Sequence, residues 1–223
     1  MQPLDEFIRN LFDNPEMLRM GHAQRKEDLN LGLAWIYYSL GRLIRPKRVV
    51  VIGSWRGFVP AVMAKALQDN VEGGDVWFID PSLADDFWVD PARVSAHFVS
   101  LGVKNVRHFR YTTQEFLLTK DYAGLEEIGL LMVDGYHSAE QARFDYLAFL
   151  EKLDKQAIVL FHDSTSRLSS PIYGKDLAYE HTVFRFIERL SQTPGLELFT
   201  FSQDRGLTMV RGRPLSLDQI NAD

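Results

Sequence analysis

The chain has 223 residues, 46% hydrophobic and 25% charged, with a formal net charge of −5 and no cysteine. This length suits one domain with a sizeable core, and the lack of cysteine closes disulfide frameworks, thiolate metal sites and cysteine nucleophiles. The acidic balance excludes a face given over to nucleic-acid phosphates, and no apolar run reaches the roughly 18 residues of a membrane span.

The N-terminal stretch MQPLDEFIRNLFDNPEM carries acids and no continuous apolar core. It reads as neither secretory signal nor anchor, so a cytoplasmic protein is expected. Residues 5–45 have apolar positions at helical spacing, first in LDEFIRNLF and then in EDLNLGLAWIYYSLGRLI, until Pro46 forbids extension. The one basic cluster, RLIRPKR, reads as a solvated helix end.

From Arg48 the period changes. RVVVIG, DVWFID, VRHFRY, IGLLMVD and AIVLFHD are short, uninterrupted apolar runs, as expected of strands buried on both faces of a parallel sheet. Between them lie helix-period segments at 59–68, 91–101 and 139–153, and a further helix is expected over about 179–191. LELFTFSQ and RGLTMVRG follow, joined by Asp204-Arg205-Gly206, and predict an antiparallel hairpin. The alternation gives an α/β fold of the Rossmann-like, doubly wound kind, in three α/β/α layers, mostly parallel with an antiparallel C-terminal strand.

In such sheets ligands bind beyond the carboxyl ends of the strands. Gly53 and Gly57 directly follow the first buried run and precede a helix. Two readings stand: a turn that lets the backbone approach a ligand, or a plain βα turn with a packing glycine. A G-x-G-x-x-G turn fails because Trp55 occupies the middle position, and Gly-Lys-Ser/Thr never occurs. Three buried runs end in a carboxylate, at Asp80, Asp134 and Asp163. A strand-end Asp is often a turn former or helix N-cap, and Asp80 before Pro81 fits that role; it also suits accepting hydrogen bonds from two ribose hydroxyls.

The G-x-x-x-G turn resembles that of S-adenosylmethionine-dependent methyltransferases. The segment from Leu131 to Asp163 resembles the IDG-x-H … HD pattern of a class I family that includes macrocin-type sugar O-methyltransferases and cephalosporin-cluster methyltransferase-like proteins. The matching positions are Asp134, Gly135, His137, Asp145, His162 and Asp163. With VIGSWRG, FID and the closing RGLTMV, the resemblance covers about residues 45–211 and implies a seven-stranded sheet. It divides the chain into an N-terminal helical cap (1–46), a methyltransferase domain (47–213) and a tail (214–223). It implies S-adenosylmethionine as cofactor, with Gly53, Ser54, Trp55, Arg56 and Gly57 at the methionine part, Asp80 and Pro81 at the ribose, and Thr113, Gln114 and Glu115 on the adenine side. Asp134 belongs to both the cofactor and catalytic sets.

The sequence departs from the family at the glycine turn: the acid often found two residues before the first glycine is Val51 here. Asp134 and Asp163 end what would be neighbouring strands, and like carboxylates so close call for a cation, a shared proton or a partner histidine. Mg²⁺ held by Asp134 and Asp163 is one candidate, which in the related enzymes binds adjacent acceptor hydroxyls. The family's further acid is replaced by His162 and Ser164. His137 is the candidate base, with Asp134 beside it expected to raise its pKa and orient the ring; the alternative for both His137 and His162 is a turn or N-cap role, or a ring hydrogen-bonded to fixed backbone. Asp145 is expected to make a structural contact to a loop. The polar segment STSRLSSPIYGKDLAYEH is long for a connection, so Arg167, Tyr173, Lys175 and His181, with His162 just before it, are candidate contacts for the acceptor; a merely flexible insertion is the alternative. The expected activity is O-methylation of a small hydroxylated molecule, a sugar or glycosylated metabolite, with no nucleic-acid or membrane partner and with a homodimer allowed. A cofactor-binding protein that has lost transfer, or a metal-dependent hydrolase, is the alternative; the latter lacks a Gly-x-Ser-x-Gly elbow.

Overall fold

The computed structural model describes residues 2–19 and 21–221. Met1 and Met20 of the expected cap, and Ala222 and Asp223 of the expected tail, lie outside the described residues. The elements run α1 (Leu4–Asp13), α2 (Ala34–Ile44), β1 (Arg48–Ile52), α3 (Phe58–Asn70), β2 (Asp75–Ile79), α4 (Pro91–Ser100), β3 (Val106–Phe109), α5 (Thr113–Phe116), α6 (Lys120–Ala123), β4 (Ile128–Val133) and α7 (Ala139–Phe149). They continue with β5 (Leu153–His162), β6 (Ser169–Ser170), β7 (Tyr179–Glu180), α8 (Val183–Ser191), β8 (Leu196–Phe201), β9 (Leu207–Gly212) and α9 (Asp218–Asn221).

Seven strands form one sheet in the order β3-β2-β1-β4-β5-β9-β8. The first five strands pair in parallel, and β9 runs antiparallel to both β5 and β8. This is the expected doubly wound sheet with a reversed C-terminal strand. The uninterrupted apolar runs have a simple cause. On β1, Val49 and Val51 point into the core shared with α1, α2, α3 and α4, while Val50 and Ile52 point into the core shared with α7 and α8. A strand sandwiched between two helical layers has no solvent face to mark with polar residues. Val51, where the family carries an acid, is therefore a fully buried core side chain.

Three local expectations are corrected. The stretch 5–45 is not continuously helical: α1 ends at Asp13, a 3₁₀ turn spans Pro15–Arg19, and the chain then loops before α2 starts at Ala34. Its apolar Leu29, Leu31 and Leu33 pack on the core from this loop rather than from a helix face. The helix expected from Tyr179 starts at Val183, because Tyr179 and Glu180 pair with Ser170 and Ser169 in the small β6–β7 hairpin. The α7 pattern ends at Phe149 with a 3₁₀ turn, and β5 begins at Leu153, ahead of the apolar run. At the other end of the chain, Ile220 of α9 is fully buried, in the core on the α8 face of the sheet. Among the described residues no helix is long and apolar enough to cross a membrane.

The turn after β1 shows what its first glycine is for. Gly53 has φ +70°, and a Cβ there would lie 2.4 Å from Gly135 Cα and 2.6 Å from the Asp134 carbonyl oxygen. The freedom of Gly53 lets the ends of β1 and β4 touch, so the strand tips beyond them stay close. Gly57, φ +78°, precedes α3 against Phe98 and Trp88. Gly53→Ala adds left-handed backbone strain to a backbone clash, and we expect a loss of about 2–4 kcal/mol in unfolding free energy, read from urea denaturation. An unshifted midpoint would remove the close approach as a requirement of the fold.

Candidate active site

The register of β4 with β5 pairs Val133 with Phe161, so Asp134 and His162 are the next residues on adjacent parallel strands. Asp163 follows with φ +52°, a left-handed conformation that an Asp tolerates and that recurs at functional sites. Both carboxylates are deeply placed, Asp163 at 1% exposure. The histidine between them holds the pair together: His162 Nδ1 lies 2.8 Å from Asp134 Oδ1 and 3.3 Å from Asp163 Oδ1. Its Nε2 donates to the Gly21 carbonyl at 2.8 Å. Burial opposes a charge on His162, but the two carboxylates outweigh it and push its pKa up to about 9. Burial likewise opposes the charge on Asp163, yet His181, His162 and His137 around it hold its carboxyl well below the usual range.

The second oxygen of Asp163 faces a different group. His181 Nδ1 lies 3.1 Å from Oδ2, His137 Nε2 3.6 Å and Arg205 Nη1 3.8 Å. His137 thus takes Asp163, not Asp134, as its nearest carboxylate partner. Burial pushes its pKa down to about 4 against the pull of both carboxylates, a correction to the rise expected from a neighbouring acid. The imidazole is neutral at physiological pH. The His137 carbonyl accepts from Thr182 N at 2.9 Å, and Ser138 caps α7 by accepting from Gln141 N at 3.0 Å.

Two cavities open at the strand ends. The larger, about 440 Å³, is lined by His22, Ser54, Trp55, Asp134, His137, His162, Asp163, Tyr173, Tyr179, His181 and Arg205, among others. The smaller, about 200 Å³, is lined by Ile52, Gly53, Ile79, Pro81, Thr112, Thr113, Gln114, Gln141 and Asp145, among others. Gly135 and Tyr173 line both, so the cavities adjoin. Asp80 lies in the chain between Ile79 and Pro81. It accepts from Ser82 N at 2.8 Å, so it also shapes the turn, and burial pushes its pKa up to about 6.

The sequence-derived residues thus divide. Gly53, Ser54, Trp55, Pro81, Thr113, Gln114, Asp134, His137, His162, Asp163 and Tyr173 line the two cavities. Arg56 does not; its guanidinium is engaged by Glu16 at 2.7 Å and Asp85 at 2.6 Å, tying the cap to the domain. Arg167 lies over the Phe184 ring at 4.0 Å, outside the cavity walls, and Lys175 is exposed. Asp145 accepts from Gln141 Nε2 at 2.8 Å and meets the Thr113 side chain, and all three residues line the smaller cavity.

Sequence reasoning missed His22. It comes from the loop after the 3₁₀ turn, is 3% exposed, and stands with Nε2 3.8 Å from Asp134 Oδ2 while Nδ1 meets Tyr37 Oη at 3.1 Å. The available signal was a histidine in a stretch with no polar reason to be buried. Tyr136, Tyr173 and Tyr179 were also unpaired in the sequence reading; their rings stack, Tyr136 on Tyr179 at 3.9 Å, and form an aromatic wall.

With this geometry in place, comparison with known proteins gives a consistent result. A family model described as a methyltransferase domain matches residues 50–164. A protein of Sinorhizobium fredii, y4gI, is 29% identical over 140 residues, 60% of this chain, and the chain spans 14% of that relative's length. Among solved structures, the Podospora anserina methyltransferase PaMTH1, bound to SAH, superposes with TM-score 0.63 at 15% identity over 93% of this chain and 88% of its own. The Streptomyces achromogenes O-methyltransferase TomG, in complex with SAM and involved in tomaymycin synthesis, gives 0.61 at 16% identity over 95% and 91%. The O-methyltransferase from Bacillus cereus, in complex with SAH, gives 0.61 at 11% identity over 96% and 93%. Such identities carry the fold alone, while the family model spans more than half the sequence, from β1 through the buried carboxylates at the end of β5: the chain belongs to the methyltransferase-domain family.

Proposed function

We propose that this protein transfers the methyl group of S-adenosylmethionine to an oxygen of a small hydroxylated acceptor, a sugar or glycosylated metabolite. The observation that carries the reading is the meeting of two cavities at Gly135 and Tyr173, one with the features of an adenosine cradle and the other walled by imidazoles and carboxylates. The adenine side takes the smaller cavity by Thr113 and Gln114, where the side-chain oxygens of Thr113 and Asp145 suit the exocyclic amine. Asp80 accepts the ribose hydroxyls. The methionine part runs past Gly53, Ser54 and Trp55 into the larger cavity. There the stacked tyrosines offer ring faces to the sulfonium charge.

Methyl transfer needs the acceptor oxygen in line with the S–CH₃ bond and relieved of its proton. As the O–C bond forms, the S–C bond breaks and its electron pair stays on sulfur. His137, neutral at pH 7, takes the acceptor proton, and Asp163 Oδ2 at 3.6 Å steadies the imidazolium that results. His162, Arg205 and Tyr173 border the acceptor. Magnesium does not fit this set: it demands a near-octahedral shell of oxygens, whereas the donors around Asp134 and Asp163 are nitrogens of four histidines, with the Arg205 cation beside them.

Asp80→Ala should weaken S-adenosylmethionine binding by about 1.5–3 kcal/mol, roughly 10- to 150-fold, in calorimetry, since two ribose hydrogen bonds are lost. Unchanged affinity would count against the cradle. The raised pKa of Asp80 fixes a direction with pH. The carboxylate is ionised above about 6 and protonated below it, so affinity should hold from pH 7 to 8 and fall as pH drops through 6. A flat profile between pH 5 and 7.5 would contradict the role. His137→Ala should lower kcat by about 10²- to 10⁴-fold on a hydroxylated acceptor while leaving the cofactor Kd unchanged, and a loss confined to KM would assign it to binding instead.

A further inference from the structure

We infer that His22, Asp134 and His162 form a binding site for one divalent transition-metal ion of borderline softness, of which Zn²⁺ is the type. The inference deepens the reading of the same crevice, replacing the hard ion that the carboxylates alone suggest. His22 Nε2 and His162 Nδ1 lie 3.8 and 2.8 Å from the two oxygens of Asp134, and the three donor atoms all fall within 4.8 Å of one another. Bonds of about 2.1 Å in a tetrahedron place donors about 3.4 Å apart, between those two distances.

The orientation of the rings points the same way. His162 Nδ1 is buried 2.8 Å from Asp134 Oδ1, and in the inferred site an ion takes the place of the proton between them. Each ring is held by its other nitrogen: His22 Nδ1 by Tyr37 Oη at 3.1 Å, and His162 Nε2 by the Gly21 carbonyl at 2.8 Å. The Gly21 carbonyl only accepts and so keeps the proton on His162 Nε2, while the Tyr37 hydroxyl, able to accept or donate, holds the His22 ring in place; ligating histidines are held by such partners at the distal nitrogen. Asp163 Oδ1, buried without a hydrogen-bond partner, lies 3.3 Å from the same His162 nitrogen. Two imidazoles with carboxylate oxygens suit zinc, cobalt or nickel, and three protein donors leave a position that an acceptor oxygen or water can take from the cavity. The other group of this kind, His137, Asp163 and His181, lacks the pattern. His181 Nδ1 is shared between Ser166 Oγ and Asp163, its Nε2 has no partner, and Arg205 brings a cation to Asp163.

The test uses chelator-stripped full-length protein without cofactor or acceptor. Zn²⁺ affinity is read by competition with a chromophoric chelator, with Mg²⁺ alone as the comparison. We expect one Zn²⁺ per chain, no displacement by millimolar Mg²⁺, at least about 100-fold weaker binding in His22→Gln and His162→Gln, and about 10-fold in Tyr37→Phe. His181→Gln should leave the affinity within about threefold. As a readout that needs no variant, Cu²⁺-loaded wild type is examined by pulsed electron paramagnetic resonance, where two imidazole nitrogen couplings are expected. Absence of stoichiometric Zn²⁺ binding, Mg²⁺ binding equally well, a dependence on His181 in place of His22, or a single imidazole coupling would each overturn the assignment. These readouts need no methyl transfer, so failure of the metal site and failure of the transferase reading are separate results.

Discussion

Two carboxylates buried side by side at the tips of β4 and β5 are the constraint that the rest of the site answers. Removing such charges from water costs several kcal/mol each unless partners are held in good geometry. The sheet creates the problem, because parallel pairing in register brings Asp134 and Asp163 to one crevice. The surrounding loops answer it. The loop at residues 21–22 supplies the carbonyl that orients His162. The segment after β5 turns back so that His181 meets Asp163, and the β8–β9 turn is pinned beneath it by Ser164 N on the Gly206 carbonyl and Thr165 N on the Arg205 carbonyl. Segments distant in sequence converge because each one contributes charge or a hydrogen bond to the same pair.

The sheet was legible in the sequence for a physical reason: a strand covered on both faces must be apolar without alternation, and only the order of such runs is needed to infer a doubly wound fold. Strand-end carboxylates were legible because a charge directly after a buried run has few places to go. The loop around His22 was not. Leu29, Leu31, Leu33 and the helix that follows present apolar residues at spacings that suit a helix as well as a packed loop, and only tertiary contact distinguishes them. His22 meets its partners across most of the chain, the Gly21 carbonyl lying 141 positions from His162, so no local pattern announces it. The partner of His137 was misjudged for a related reason. Proximity in sequence suggested Asp134, whereas the left-handed turn at Asp163 swings that carboxylate toward the histidines.

The glycine turn after β1 illustrates how one motif can serve two ends at once. The sequence leaves open whether Gly53 admits a ligand or a neighbour, and the structure puts the Gly135 backbone where its side chain would be. That contact draws β1 and β4 together at their ends, and Gly135 is also a residue on which the two cavities meet. A glycine needed for packing is thus also what keeps the two cavities side by side. Trp55, with φ +37°, gives its carbonyl to Trp88 Nε1 at 2.7 Å, so the same turn is fastened on its outer side. The Arg56 pairs with Glu16 and Asp85 extend that fastening to the N-terminal segment.

The two oxygens of Asp163 face different neighbours. Oδ1 looks to His162 and the Asp134 side; Oδ2 looks to His181, His137 and Arg205. A single buried carboxylate shared in this way couples whatever charge stands on one side to the basicity of the imidazoles on the other. A cation bound in the inferred site between His22 and His162 would draw on Oδ1 and leave less negative charge to hold a proton on His137. A neutral arrangement there does the reverse. The loop that carries His22 and the imidazoles on the other side of the larger cavity are therefore linked through one side chain.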